Sequence, residues 1–211
     1  MWSWITEHSG ALTVLVNVVM ACIWLAYLQI FLVSFQRSNR AVVHIGMADE
    51  GEGDARCIVS NMGSDTVYII AVLVEVSCGD TTYDAIVTDR TERDRSEAGD
   101  FRERTNQGPL GGGEAVDIGD FRSIAERASR SRNIDLNLES CDSLTITVAM
   151  AAQQAQKLHG GFKRFDIARD EDGDLRFSSP DLLTRQIKKR KHRKQLYARI
   201  TGTGARGAEE R

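Results

Sequence analysis

Between Gly10 and Phe35 the chain has no Asp, Glu, Lys or Arg. A bilayer core ~30 Å thick takes about 20 apolar residues in helical form. A buried helix of a water-soluble domain is seldom apolar on every face. The run GALTVLVNVVMACIWLAYLQIFLVSF therefore predicts a transmembrane helix. Lysine and arginine are also missing from Met1–Gly10, so the basic leader of a cleaved signal peptide is absent. The apolar core is too long for such a peptide, and Val33-Ser34-Phe35-Gln36-Arg37 offers no pair of small residues for cleavage. The span is expected to stay as an anchor.

No two of the four cysteines, Cys22, Cys57, Cys78 and Cys141, stand as C-x-x-C, which removes the common zinc and redox motifs. With the domain in a reducing cytosol, Cys57, Cys78 and Cys141 are expected as free, buried thiols. On the outside, Cys57 and Cys78 would be the pair to suspect. The histidines, His8, His44, His159 and His192, lie in no metalloprotease helix and near no nucleophile elbow. No cofactor is implied, and the chain is read as non-enzymatic. A hydrolase would need histidines and carboxylates from scattered positions to converge. The acidic run Asp170-Glu171-Asp172-Gly173-Asp174 fails as an EF-hand: with Gly173 at the sixth position, Ala168 falls first and Ser179 twelfth. It reads as a hairpin turn. Gly202-Thr203-Gly204-Ala205-Arg206-Gly207 spells a dinucleotide fingerprint, but a basic helix precedes it where a strand is required.

The flanks of the span set its expected orientation. Arg37 and Arg40 follow it, while Glu7 and His8 precede it. The positive-inside rule puts the arginines in the cytoplasm. The expectation is a single-pass protein of the inner (plasma) membrane, with the N-terminus outside and the bulk of the chain cytoplasmic. Trp2 and Trp4 at one end, with Trp24 and Tyr27 nearer the other, suit interfacial belts. Within the span, Gly10, Thr13, Asn17 and Ala21 fall within about 80° of one another. Small residues let helices approach closely, and an amide in hydrocarbon wants a hydrogen-bond partner. This stripe is the candidate helix–helix contact, for self-association or a protein partner.

Beyond the span, apolar and β-branched runs alternate with turn clusters. Strands are predicted over 41–47, 56–61, 67–78, 81–88, 114–118, 144–152, 162–168 and 175–178. Turns are predicted at 49–54, 62–65, 108–113 and 158–161. Residues 89–104 interleave both charges and read as a solvated loop. Asp120 is placed to cap a short helix over 121–129, closing one end of a sandwich. Ser178 or Ser179, with Pro180 next, is expected to start a helix running 181 to about 200. The fold class is mainly β: an N-terminal transmembrane helix, an immunoglobulin-like β-sandwich and a basic C-terminal helix. The expected division is 1–36 for flank and span, 37–180 for the sandwich, and 181–211 for the basic helix and a disordered tail.

Charge is unevenly spread. From Asp181 onward there are ten Lys or Arg against three acids, about +7, so with a total of −3 the rest carries about −10. Seven of those cations, Arg185, Lys188, Lys189, Arg190, Lys191, Arg193 and Lys194, lie in ten residues with no acid. They are the candidate site for anionic lipid or phosphate. Basic residues near the cytoplasmic leaflet each gain about 1 kcal/mol from anionic lipid. Phosphate contacts to nucleic acid are the alternative, weakened by the scarcity of aromatics, with Tyr197 the nearest. The expected function is a non-catalytic binding or scaffolding protein, such as an accessory subunit of a membrane complex. A membrane-tethered nucleic-acid or signal-binding module is the alternative.

Asn61, Gly63, Val67 and Ile69 form an N-x-G-x-x-x-V-x-I corner that resembles those of immunoglobulin-like sandwiches. Three further stretches carry a second resemblance. They are Tyr27-Leu28-Gln29 with Phe31, Asp54-Ala55-Arg56-Cys57 leading to Ser60-Asn61-Met62, and Gln107-Gly108-Pro109-Leu110 with Gly113-Glu114 and Asp117-Ile118-Gly119-Asp120-Phe121. Together they resemble short single-span bacterial inner-membrane proteins with a cytoplasmic β domain. That resemblance implies an architecture and brings no activity with it.

Overall fold

The computed structural model describes residues 9–38, 41–48, 55–87, 105–134, 136–152, 155–170 and 173–202. Trp2 and Trp4, the 49–54 turn, the 89–104 loop and the tail beyond 202 lie outside the described residues. Two compact units divide the chain at 40/41.

The first unit holds one helix, α1 (Ser9–Ser38). Within it, Ser9–Phe35 is long and apolar enough to cross a membrane, with a mean hydropathy of 2.2. Its apolar side chains point in every direction and none is buried. That distribution suits a hydrocarbon solvent and would be costly in water.

The second unit is mainly β. Its strands are β1 (Val43–Ala48), β2 (Arg56–Asn61), β3 (Val67–Cys78), β4 (Thr81–Ile86), β5 (Gly108–Leu110), β6 (Ala115–Asp120), β7 (Ser143–Ala152), β8 (Ala155–Arg169), β9 (Leu175–Ser178) and β10 (Arg185–Gln186). Two helices accompany them, α2 (Phe121–Arg132) and α3 (Arg190–Ile200). One antiparallel sheet has three strands in the order β1-β2-β6. The other has seven, in the path β10-β8-β7-β3-β4 with β5 on β3 and β9 on β8. Alternate residues of the two sheets share one core, Ile45 and Val59 on one side and Val74, Ile146 and Phe165 on the other. Each such fully buried side chain contributes about 1.5–3 kcal/mol.

Helix α2 forms where the sequence predicts one, with Phe121, Ile124, Ala125 and Ala128 in the shared core. The Ser123 N–H donates to Asp120 Oδ1 (2.6 Å), satisfying a donor at the helix start. Phe121 is fully buried and stacks on Phe177, with Phe165 at 4.6 Å between centroids. The Asn61 corner is a knot rather than a simple turn. Its Oδ1 accepts the Gly63 N–H (3.0 Å), and its Nδ2 donates to the carbonyls of Asp65 (2.8 Å), Leu110 (3.1 Å) and Gly111 (3.0 Å). It thereby ties the β2–β3 corner to the 108–113 stretch, which sequence reasoning takes as a turn but which begins with strand β5.

Two other expectations are corrected. Leu158–Gly161, expected as a turn, lies inside β8. A Cβ on Gly161 would sit 2.6 Å from Val43 Cγ1, and one on Gly160 would sit 2.9 Å from the Val148 carbonyl oxygen and 3.0 Å from Leu196 Cδ2. These glycines admit neighbours from both sides of the strand. The helix expected from 181 begins only at Arg190, because the preceding residues serve the sheet. Arg185 and Gln186 pair with Phe162 and Gly161 of β8. On the other side of β10, Thr184 Oγ1 accepts the Ile45 N–H (2.7 Å). The Gln186 side chain accepts from the Val43 N–H (3.3 Å) and donates to the Val43 carbonyl (2.6 Å), as a strand's peptide group would. So β10 bridges the two sheets by ladder bonds to β8 and side-chain bonds to β1. Ser179 does not cap a helix; its hydroxyl donates to the Arg164 carbonyl (2.8 Å).

Candidate functional site

Helix α3 is seated by its C-terminal half. Leu196 is buried on the outer face of the large sheet against Ala71, Leu73 and Ala149. The Arg199 guanidinium pairs with Glu75 on β3 (2.9 Å) and Asp84 on β4 (3.5 Å). The N-terminal half starts at the β10 edge, where the Ile187 N–H donates to the Gly160 carbonyl (2.7 Å).

That N-terminal half carries the predicted cations. Lys188, Lys189, Arg190, Lys191 and Lys194 are exposed and Arg193 is half-buried. Among the described residues none of these six has an ion-pair partner. Arg185 separates from the group: it sits in β10 and pairs with Asp181 at 2.9 Å. The arrangement works against the helix. Arg190 and Lys194 are four apart, and Arg190–Arg193 and Lys191–Lys194 are three apart, so like charges face one another. Lys189 occupies the N-cap with no side-chain cap bond, and the first turn has no acid. A helix N-terminus is itself partly positive, so these cations sit where an anion is favoured.

The other candidate group, Gly10, Thr13, Asn17 and Ala21, lies along α1. Thr13 Oγ1 donates to the Ser9 carbonyl (2.8 Å), so its hydroxyl is satisfied within the helix. Among the described residues the Asn17 amide has no hydrogen-bond partner.

The free-thiol expectation is corrected. Cys78, ending β3, and Cys141, just before β7, form a disulfide across 63 residues. The sequence reading paired neither of them with the other, because their proximity comes from the β3–β7 register. That register brings Asp142 beside Ser77, whose carbonyl accepts the Asp142 N–H (2.8 Å), and the Gly79 N–H donates to Asp142 Oδ2 (2.8 Å). Cys57 is free and fully buried, and burial followed by the Asp117 charge pushes its thiol pKa far up, so it is inert. Cys22 is free on α1.

The remaining polar features do not assemble into chemistry. The 170–174 run closes on itself, with the Asp174 N–H donating to Asp170 Oδ1 (2.9 Å). Among the described residues no three His, Cys, Asp or Glu come together as a metal site. His44 lies beside Thr184 at the β1–β10 seam, and burial followed by the Lys163 charge lowers its pKa. A cavity of about 110 Å³ between β5 and β6 is lined by Ile69, Asn106, Pro109 and Val116 among others, with no His, Cys or carboxylate. No family model matches the chain, and no curated protein or solved structure is significantly similar to it.

Proposed function

We propose that this protein is a membrane-anchored, non-catalytic binding or scaffolding protein. Its β domain is immunoglobulin-like, and its basic segment engages anionic lipid. One observation carries the reading: six cations crowd the start of α3 without anionic partners among the described residues, at a cost to the helix that an external anion relieves. A nearby bilayer supplies such anions in quantity, and tethering raises their effective concentration. Asn17, with Gly10, Thr13 and Ala21, is the face through which α1 meets a second helix, from another copy or a partner subunit. A second reading has one observation behind it. Tyr197 is 61% exposed on the same helix, where a base stacks.

Orientation follows the flanks, with the N-terminus outside and the domain in the cytoplasm of a bacterial inner membrane. The Cys78–Cys141 bond argues for the opposite side, since disulfides persist in oxidising compartments. Charge is the stronger constraint, because it acts during insertion. Met1–Gly10 carries no cation to hold it inside, whereas Arg37 and Arg40 precede the whole domain. The two sulfurs meet only after folding, so their bond does not act on insertion.

Two measurements test the proposal. Native mass spectrometry of the full chain released from neutral detergent is expected to show retained anionic phospholipid and a stoichiometric helical partner. Preference for a DNA duplex over phospholipid at physiological salt would refute the lipid reading. Trapping thiols in intact cells before lysis tests the orientation: Cys78 and Cys141 found as free thiols would support it. A cystine there would reverse the orientation.

A further inference from the structure

We propose that the open end of the β1 edge, beside Lys163, is a docking site for an extended polypeptide segment that pairs with the main chain at Met47 and places a carboxylate on the Lys163 ammonium. This surface lies wholly within the β domain and is independent of the lipid and helix contacts above.

The site starts from a charge without a counter-charge. Lys163 lies on the same face of β8 as Phe165, two residues on, and is only 7% exposed. Its Nζ donates to the Leu182 carbonyl at 3.4 Å and stands 5.6 Å from the centroid of the Phe165 ring. Among the described residues it has no other hydrogen-bond partner and no acid. An ammonium carries three donors, and burying a charge without its opposite is costly. The charge is felt on both sides of the seam. It adds to burial in lowering the His44 pKa. Behind burial and the charges of Asp117 and Arg127, it also acts on Cys57, the β2 partner of Met47.

The main chain next to this charge is open. Val43 is bonded to Gln186 and Ile45 to Thr184, so the two segments run antiparallel, and the same register continued sets Met47 opposite Leu182. The chain bends at Leu182 and Leu183 instead, and these side chains are 87% and 71% exposed. In an antiparallel ladder, alternate residues turn their N–H and carbonyl groups to the same side. Those of Met47 therefore face outward like those of Val43 and Ile45, and among the described residues they have no partner. Strand addition draws affinity from such main-chain groups and specificity from the side-chain sites beside them. Here the flanks are apolar, Met47, Leu182 and Leu183, and the polar site is the Lys163 ammonium. Charge selects the occupant. A second copy docking through the same edge would bring two Lys163 ammoniums together about a two-fold axis, where like charges repel. A segment carrying Asp or Glu supplies the missing counter-charge.

The test uses the full chain in neutral detergent at physiological salt. The probes are fluorescent seven-residue peptides of alternating Val and Thr, with one Asp at each position in turn, each beside its Asn twin. Binding is read by anisotropy. In at least one register the Asp peptide is expected to bind about tenfold or more tighter than its twin. Lys163→Met keeps the stem and drops the charge. It is expected to bring that ratio to about one while the domain melts no lower than the parent. Lys163→Arg is expected to keep the preference, and Met47→Pro, which removes the edge N–H, to lose both peptides. No binding in any register, equal binding of the twins, or retained binding in Met47→Pro overturns the proposal. A Lys163→Met domain that melts lower shows the ammonium to be satisfied by the fold itself, and also overturns it. So does a preference that survives Lys163→Met, and its loss when Lys188, Lys189, Arg190 and Lys191 become Gln would give the acid to the basic segment.

Discussion

Replacing Lys189 by Asp separates stability from binding. Lys189 is the N-cap of α3, with φ −73° and ψ 136°, extended geometry from which a capping carboxylate reaches the N–H groups ahead of it. The native lysine makes no side-chain cap bond, and no acid sits in the first turn. A cap of Asp in place of a non-capping residue is worth about 1 kcal/mol. A negative charge at the positive helix end adds about 0.3–1 kcal/mol. Relief of repulsion from Arg193, four residues on, adds a few tenths. Lys189→Asp should therefore stabilise the domain by about 1–2 kcal/mol, raising the melting temperature of the full chain in neutral detergent by roughly 2–6 °C. The same change removes one cation and adds one anion in the segment proposed to engage anionic lipid. At about 1 kcal/mol each, it should weaken phosphatidylglycerol retention roughly 25-fold. A stabilised variant that has lost its lipid means the cations are kept for binding at the fold's expense. A variant that is no more stable, or that keeps its lipid, would refute the reasoning.

Gly161→Ala forces a methyl against Val43 and Thr184. It should cost about 1–3 kcal/mol, read by denaturant melts, with hydrogen exchange showing the loss at the β1–β10 seam first. Asn61→Ala strips the corner of four hydrogen bonds. Three buried or half-buried carbonyls lose their donor, and the cost should be about 2–4 kcal/mol. His44 has a folded pKa below its ordinary value of 6.5. Below that value the unfolded chain binds a proton that the folded chain refuses, so its share of stability is complete above pH 6.5 and lost as pH falls from there toward the folded pKa. His44→Gln should flatten that slope in melts between pH 5 and 7. Cys78→Ser opens a 63-residue link. For the oxidised chain the loss is at most about 4 kcal/mol by loop entropy, and melts with and without reductant should converge in the variant.

The sequence was most legible where one local rule decides. The uncharged run, the β-branched stretch of β3 and the Asp120 cap each fit one period or one motif, and the structure has them at those residues. It was least legible where a residue serves a distant neighbour. Gly160 and Gly161 look like a turn because glycine is the commonest turn signal. Their role is to admit Leu196 and Val43, which are far away in the chain. Thr184 and Gln186 look like the first turn of a helix. They spend their side chains on the main chain of β1, about 140 residues earlier. The disulfide was missed for the same reason, since only the β3–β7 register sets Cys78 beside Cys141. Composition marked the basic segment, but only the fold separates Arg185, paired with Asp181, from the six that have no ion-pair partner among the described residues.

The most direct test is a sodium carbonate wash of membranes containing the full chain, at a pH near 11. A protein held by α1 stays in the membrane pellet, and it moves to the supernatant only when charged residues replace Val18, Ile23 and Leu28 in the span. Recovery of the unaltered chain in the carbonate supernatant would show that α1 does not cross a bilayer, and would contradict the account at its base.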